Sequence, residues 1–296
     1  MAVLYGPHYE RIWREALLLP DHDDLLESLA TEVGEHYGEP VYEARERMRA
    51  TFESRLSHAA TRFPETDDPE RLSEYYSDAA GVYMSAYWHS LRADRYALHA
   101  VAGLHAVQSL ATGSRVFEFG HGIGSAAILF QRYGFEVAAG DISSSYRDFA
   151  RARFGRRGLP IDLVELEGAD PPDGEFDAVV SFDVLEHVPG PLAALERMRD
   201  WLKPGGVLAI NVAIGTDPAN PEHLIRRRLG FEDRIRSLGF ERVPHPSLVV
   251  LYRRAVRPGR RLLYRAQDAL VAARDDVVGR APASGVLLQA RRSPPL

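Results

Sequence analysis

Glu118, Gly120, Gly122 and Gly124 stand in the run VFEFGHGIGSAA at the spacing E-x-G-x-G-x-G. Glycines where a strand turns into a helix let the backbone pass close to a ligand, because a Cβ there would clash. A carboxylate two residues ahead of the first glycine is unwelcome beside a pyrophosphate and favourable beside a cationic amine. Asp141 closes a second run, EVAAGD, and sets a bidentate acceptor where it can hold two ribose hydroxyls. On its own a glycine-rich turn is a weak signal. With Ser125 in the third place, the same run also fits a nicotinamide-dinucleotide fingerprint, with Asp141 as the ribose-binding acid.

Proton-transfer chemistry has four histidine candidates: His187 in LEHV, His223 in NPEHL, His121 inside the glycine run and His89 in YWHS. His121 takes a place in that run where a small residue is usual. An aromatic group, Tyr75, Tyr76, Tyr83, Tyr87, Trp88 and Tyr96, lies upstream. Tyr83 and Tyr87 are four residues apart, as are Met84 and Trp88, so each pair shares a helix face. Such faces either pack on a neighbouring layer or roof a site where aromatic rings stabilise a cation.

The elements that must carry these residues change character at about residue 110. Up to Leu110 the chain has 19 acidic residues against 10 arginines and a helical pattern, with helices expected at 8–19, 22–36, 41–62, 69–89 and 91–110. From Ser114, β-rich runs at 115–119, 136–139, 162–166, 176–182 and 207–212 alternate with helical runs at 123–133, 143–156 and 190–202. Strict alternation implies crossover connections and a mostly parallel sheet covered on both faces, with a ligand crevice at the carboxyl ends of its strands. From His245 onward 10 arginines face 3 aspartates. There the last strand is expected at Gly285–Ala290, which makes 246–283 a basic helical insertion; the alternative strand is Leu248–Tyr252.

Composition bounds the function. A chain of 296 residues with 45% hydrophobic residues buries a full core. The absence of cysteine excludes disulfides, thiolate zinc sites and a cysteine nucleophile, and no other metal site is expected. A net charge of −6 argues against a general nucleic-acid binder. No stretch has the length and apolarity of a spanning helix or a secretory signal, so a cytoplasmic protein is expected.

Four motifs in order, the two acid-ended strands, EFDAVVSFDVLEHV and WLKPGGVLAIN, make residues 114–244 resemble the class I S-adenosylmethionine-dependent methyltransferases. The resemblance implies a doubly wound, mostly parallel, seven-stranded Rossmann-like α/β sheet (111–296) behind an N-terminal helical region (1–110). It implies S-adenosyl-L-methionine as cofactor, with Glu118, Gly120, Gly122 and Gly124 around its methionine part, Asp141 on the ribose and Ile142 on adenine. Gly168, Ala169 and Asp170 occupy the stretch where the family places an acid near the adenine amino group, and Asp170 is assigned there. The expected activity is methyl transfer to a small-molecule acceptor in bacterial specialised metabolism, with His187, His223 and Tyr87 as candidate catalytic residues. A homodimer is compatible with this reading; nucleic acid and membrane are not expected partners. The same motifs would serve aminopropyl transfer, cyclisation of the cofactor, or binding without turnover.

Overall fold

Alternation along the central strands sorts their side chains onto two faces. Val116, Val137, Ala139, Ala178, Val180, Val207 and Ala209 join one buried layer, while Phe117, Phe119, Ala138, Val179, Leu208 and Ile210 join another. Strands buried on both faces are the mark of a sheet sandwiched between helices. The computed structural model describes residues 2–62, 71, 77–91, 95–166, 170–215, 223, 225 and 230–256. Met1–Pro258 forms one compact unit; a second, Gly259–Leu296, lies outside the described residues.

Among the described residues, five helices come first: α1 (Ala2–Leu17), α2 (Leu25–Tyr37), α3 (Val41–Arg62), α4 (Ala79–Ser90) and α5 (Arg95–Leu110). Then follow β1 (Arg115–Phe119), α6 (Ser125–Arg132), β2 (Glu136–Asp141), α7 (Ser144–Arg157), β3 (Asp162–Glu165) and β4 (Phe176–Ser181). A 3₁₀ turn (Leu185–His187) leads to α8 (Pro191–Trp201), β5 (Leu202–Ile210), α9 (Phe231–Ser237), β6 (Phe240–Arg242) and β7 (Val250–Arg254). The sheet order is β3-β2-β1-β4-β5-β7-β6, parallel from β3 to β5, with β7 antiparallel to both neighbours. This is the doubly wound, seven-stranded Rossmann-like sheet expected from the sequence.

The N-terminal helices share a core with the sheet. Trp13, Leu17, Leu29, Val33, Val82, Val101 and Leu104 pack in the same layer as Val116 and Ile128. On the opposite face α8 and α9 contribute Leu195, Met198, Trp201 and Ile235 against Phe117 and Leu208.

Element ends differ from expectation where local chemistry decides them. α2 starts at Leu25 because the Asp24 side chain accepts from the Glu27 N–H at 3.0 Å and caps the helix. α1 runs back to Ala2, through Pro7. Within 69–89, a helix capped by Asp78 begins at Ala79, and residues 69, 70 and 72–76 lie outside the described residues. β5 begins at Leu202, well before 207, because pairing with β4 resumes across a register shift through Lys203–Gly206. The seventh strand is Val250–Arg254, at the alternative place, and it occupies part of the segment assigned to a helical insertion. Residues 257–283 and 285–290 lie outside the described residues.

Candidate functional site

β1 delivers Glu118 to its carboxyl end and the chain turns at once into the glycine run. Gly120 and Gly124 have φ of +74° and +76°, and a Cβ there would lie 2.4 Å from Val184 and 2.6 Å from Phe154. Above Gly122 the space is open. Asp141 holds this turn: its Oδ2 accepts from Gly122 N–H and its Oδ1 from Ser143 N–H, both at 2.9 Å. Each oxygen keeps a lone pair for a further donor. Ile142 follows, half-buried against the layer of Phe117.

Glu118 is only 1% exposed. Its Oε1 accepts from the Tyr96 hydroxyl at 3.4 Å, and the Ala127 N–H also reaches the carboxylate. Oε2 is buried with no hydrogen-bond partner. Burial pushes the carboxyl well above the usual range, with the Asp141 charge adding to the effect. A buried carboxylate oxygen without a donor is costly, and a cationic donor arriving from outside would relieve that cost. His121, fully buried three residues on, donates from Nδ1 to the Gly122 carbonyl at 2.7 Å, which leaves a partnerless Nε2. Burial lowers its pKa.

Behind the glycine run lies an ionic clamp that sequence reasoning missed. Arg153, 1% exposed on α7, donates to the Ile123 carbonyl at 2.6 Å, to Ser125 Oγ at 2.9 Å and to Glu32 at 3.2 Å. Glu32, on α2, also takes Arg157, which donates in addition to the Leu17 carbonyl at 2.6 Å. Arg153 and Arg157 are four apart on α7, a visible spacing, but nothing in the pattern says that they are buried. From α4, His89 Nδ1 is hydrogen-bonded to Ser125 Oγ at 3.0 Å, and its ring stacks on Tyr96 at 4.2 Å. Burial, with the Arg153 charge, lowers the His89 pKa to about 3, so the imidazole is neutral.

The carboxyl ends of β4 and β5 carry a second polar group. Asp183 adopts φ +51°, a left-handed conformation. Asn211, at the end of β5, pins it by accepting from the Asp183 N–H at 3.1 Å and donating to its carboxylate. His99 of α5 lies 3.7 Å from the same carboxylate. Glu186 is 1% exposed; its Oε1 accepts from Ala213 N–H at 3.1 Å, and its Oε2 is buried without a partner. Burial raises its pKa to about 7. His187 and His223 meet edge to face with ring centroids 5.1 Å apart. One ligand atom from each of Glu186, His187 and His223 lies within 4.8 Å of the other two, a set with the chemistry to hold a metal ion. Glu186 sat unread in LEHV, although it is the residue next to His187.

Two assigned residues are spent elsewhere. Tyr87 packs against Phe52 of α3 at 5.1 Å and Tyr83 stacks on Tyr37 at 4.9 Å, so that face serves helix packing. It is Tyr96, a helix later, that reaches Glu118. Asp170 is exposed and accepts from Arg197 of α8; Gly168 and Ala169, like Tyr75 and Tyr76, lie outside the described residues.

Comparison with known proteins points to a family. A family profile for a methyltransferase domain matches residues 87–262. The ubiquinone biosynthesis O-methyltransferase of Xanthomonas campestris pv. campestris (strain B100) is 35% identical over 111 residues, 36% of this chain and 46% of that protein. The protein of the same name from Dinoroseobacter shibae is 35% identical over 98 residues, 32% of this chain and 40% of that protein. The chain thus spans less than half the length of these relatives. Among solved structures, the [4+2]-cyclase SpnF has a TM-score of 0.42 at 24% identity, over 48% of this chain and 57% of that one. The YcgJ protein from Bacillus subtilis has a TM-score of 0.41 at 18% identity, over 48% and 69%. With more than half its length matched by the profile, and the sheet order and glycine turn described above, the chain belongs to the class I S-adenosylmethionine-dependent methyltransferases.

Proposed function

We propose that this chain binds S-adenosylmethionine at the β1–α6 turn and transfers its methyl group to an oxygen of a small-molecule acceptor, in biosynthetic chemistry, at the carboxyl ends of β4 and β5. The observation that carries the cofactor assignment is the buried, partnerless Oε2 of Glu118, at the end of the strand that leads into a glycine turn open at Gly122. A cationic amine fits that atom, and a pyrophosphate does not. Asp141 stiffens the turn and offers its remaining lone pairs to the ribose, and Ile142 flanks the adenine. Asp170, already engaged with Arg197, is the assignment under most strain.

The bound cofactor supplies an electrophilic sulfonium methyl. What the chain must add is alignment of the acceptor and exclusion of water. The helical region would act as the lid, with Tyr96 over Glu118 and Tyr87 inside the lid's own packing. His187 and His223 stand where an acceptor hydroxyl would be held and relieved of its proton. The O-methyltransferase names of the relatives support an oxygen acceptor. The net charge of −6 supports a small molecule over nucleic acid, and no described helix is long and apolar enough to cross a membrane.

The test is incubation of the full chain with S-adenosylmethionine and a panel of small phenols and catechols, followed by product analysis. S-adenosylhomocysteine formed in step with a methyl ether is expected. Methylthioadenosine as product, or binding of the cofactor with no turnover across amine, thiol, carbon and oxygen acceptors, would overturn methyl transfer.

A further inference from the structure

Both donors to the Glu118 carboxylate are placed from one point. The Ala127 N–H belongs to the first turn of α6, which Ser125 begins behind a glycine cap that offers no side chain. The Tyr96 hydroxyl sits on a ring stacked against His89, and His89 Nδ1 is hydrogen-bonded to Ser125 Oγ. Ser125 is fully buried and accepts from Arg153 Nη1 at 2.9 Å; the same nitrogen donates to the Ile123 carbonyl at 2.6 Å and so holds the chain on both sides of Gly124. Arg153 Nε is fixed in turn by Glu32 of α2 at 3.2 Å. From α1, Trp13 Nε1–H donates to the His89 carbonyl at 3.1 Å, and its ring meets Tyr96 edge-on at 5.7 Å. Side chains of α1, α2, α4 and α5 thus converge on the start of α6.

Two arginines one turn apart on α7 divide the work. Arg157 donates to both oxygens of Glu32, to the Leu17 carbonyl and to the Arg153 carbonyl, so its bonds fasten α1 and α2 to α7. Arg153 gives only Nε to that junction and spends Nη1 on the turn. Docking of the helices needs the first pattern; the second fixes the backbone that carries the ligand-facing groups. We infer, on the cofactor reading above, that Arg153 and Ser125 are positioning residues for the amino-acid end of the cofactor, and that the N-terminal helices build this part of the site as well as covering it. A run with glycine at every second position is free to adopt many conformations, and those that misplace Glu118 lower affinity in proportion to their population. Fixing Ile123 and Ser125 before the ligand arrives removes that cost. Both residues act from behind the turn, with Arg153 1% exposed and Ser125 0%.

The experiment is calorimetric titration of the full chain with S-adenosylhomocysteine and with methylthioadenosine, which lacks the amino-acid part, in wild type, Arg153→Met, Ser125→Ala and Arg157→Met. A smaller folded fraction weakens both ligands by one factor, so the ratio of the two affinities separates positioning from stability. Arg153→Met should weaken S-adenosylhomocysteine by about 10-fold and Ser125→Ala by about threefold, the range of one lost hydrogen bond, while methylthioadenosine affinity holds. Arg157→Met should melt earlier and keep the wild-type ratio. If Arg153→Met does not fold, the ratio in Ser125→Ala decides. A wild-type ratio in Ser125→Ala and in folded Arg153→Met, or the same fall of the ratio in Arg157→Met, overturns the positioning role and leaves the cofactor reading standing. A wild-type chain that binds neither ligand, or shows no preference for S-adenosylhomocysteine, overturns both.

Discussion

The two polar ends of the crevice are built by different means. At β1 the functional atoms are held by backbone: glycine conformations, two N–H groups on Asp141, and a carboxylate that leaves the strand directly. At β4 and β5 the groups come from several segments: the Asn211 side chain pins Asp183 with His99 beside it, and the Ala213 N–H holds Glu186. On the proposed reading, the backbone-built end would hold the cofactor and the other end the acceptor. The helical region contacts both ends through α5, with Tyr96 at one and His99 at the other.

That contrast can be broken most severely at the clamp behind the first end. Glu32→Ala would leave the Arg153 and Arg157 guanidiniums buried without their shared carboxylate, and should destabilise the chain by about 3–5 kcal/mol in denaturant unfolding. A loss under about 1 kcal/mol would mean that water reaches the pair.

Asp141→Ala should weaken S-adenosylhomocysteine binding by about 1.5–3 kcal/mol in calorimetric titration, because it removes charge-assisted bonds to ribose and frees Gly122. Unaltered affinity with earlier melting would make Asp141 a brace of the turn alone.

The pH dependence of stability sharpens the role of His89. Its folded pKa of about 3 lies below the ordinary value of 6.5, so the folded state resists protonation that the unfolded state accepts. Stability contributed by the neutral imidazole is therefore complete above pH 6.5 and is lost as pH falls from there toward 3. His89→Gln should flatten that part of the profile of unfolding free energy against pH. An identical slope in the variant would assign the acid sensitivity elsewhere.

The smallest effect is expected at Asp170. As an exposed partner of Arg197 it should change stability by less than about 1 kcal/mol when replaced by Ala. A clear loss of cofactor affinity in Asp170→Ala would restore its adenine role.

What was legible in the sequence follows the same division. Glu118, the glycines and Asp141 could be read because backbone chemistry restricts residue type: a left-handed turn packed against Val184 and Phe154 accepts only glycine. The strands showed as short apolar runs because both of their faces are buried. Pairing across distance was not legible. Glu32 and Arg153 are 121 residues apart, and each looks like an ordinary surface charge on an amphipathic helix. Tyr96 was one of several aromatics, and only the packing of the folded chain brings it to Glu118 while Tyr87 packs on Phe52. β5 ran longer than its apolar pattern because Pro204–Gly206 passes through a bulge instead of a loop.

The central claim is that the partnerless oxygen of Glu118 awaits the cofactor's ammonium group. The direct measurement is calorimetric titration of wild type and Glu118→Gln with S-adenosylhomocysteine and with methylthioadenosine, which lacks the amino-acid part. Wild type should prefer S-adenosylhomocysteine strongly, and Glu118→Gln should lose about 1.5–3 kcal/mol of that preference while its methylthioadenosine affinity holds. Equal losses for both ligands, or no loss for either, would contradict the account.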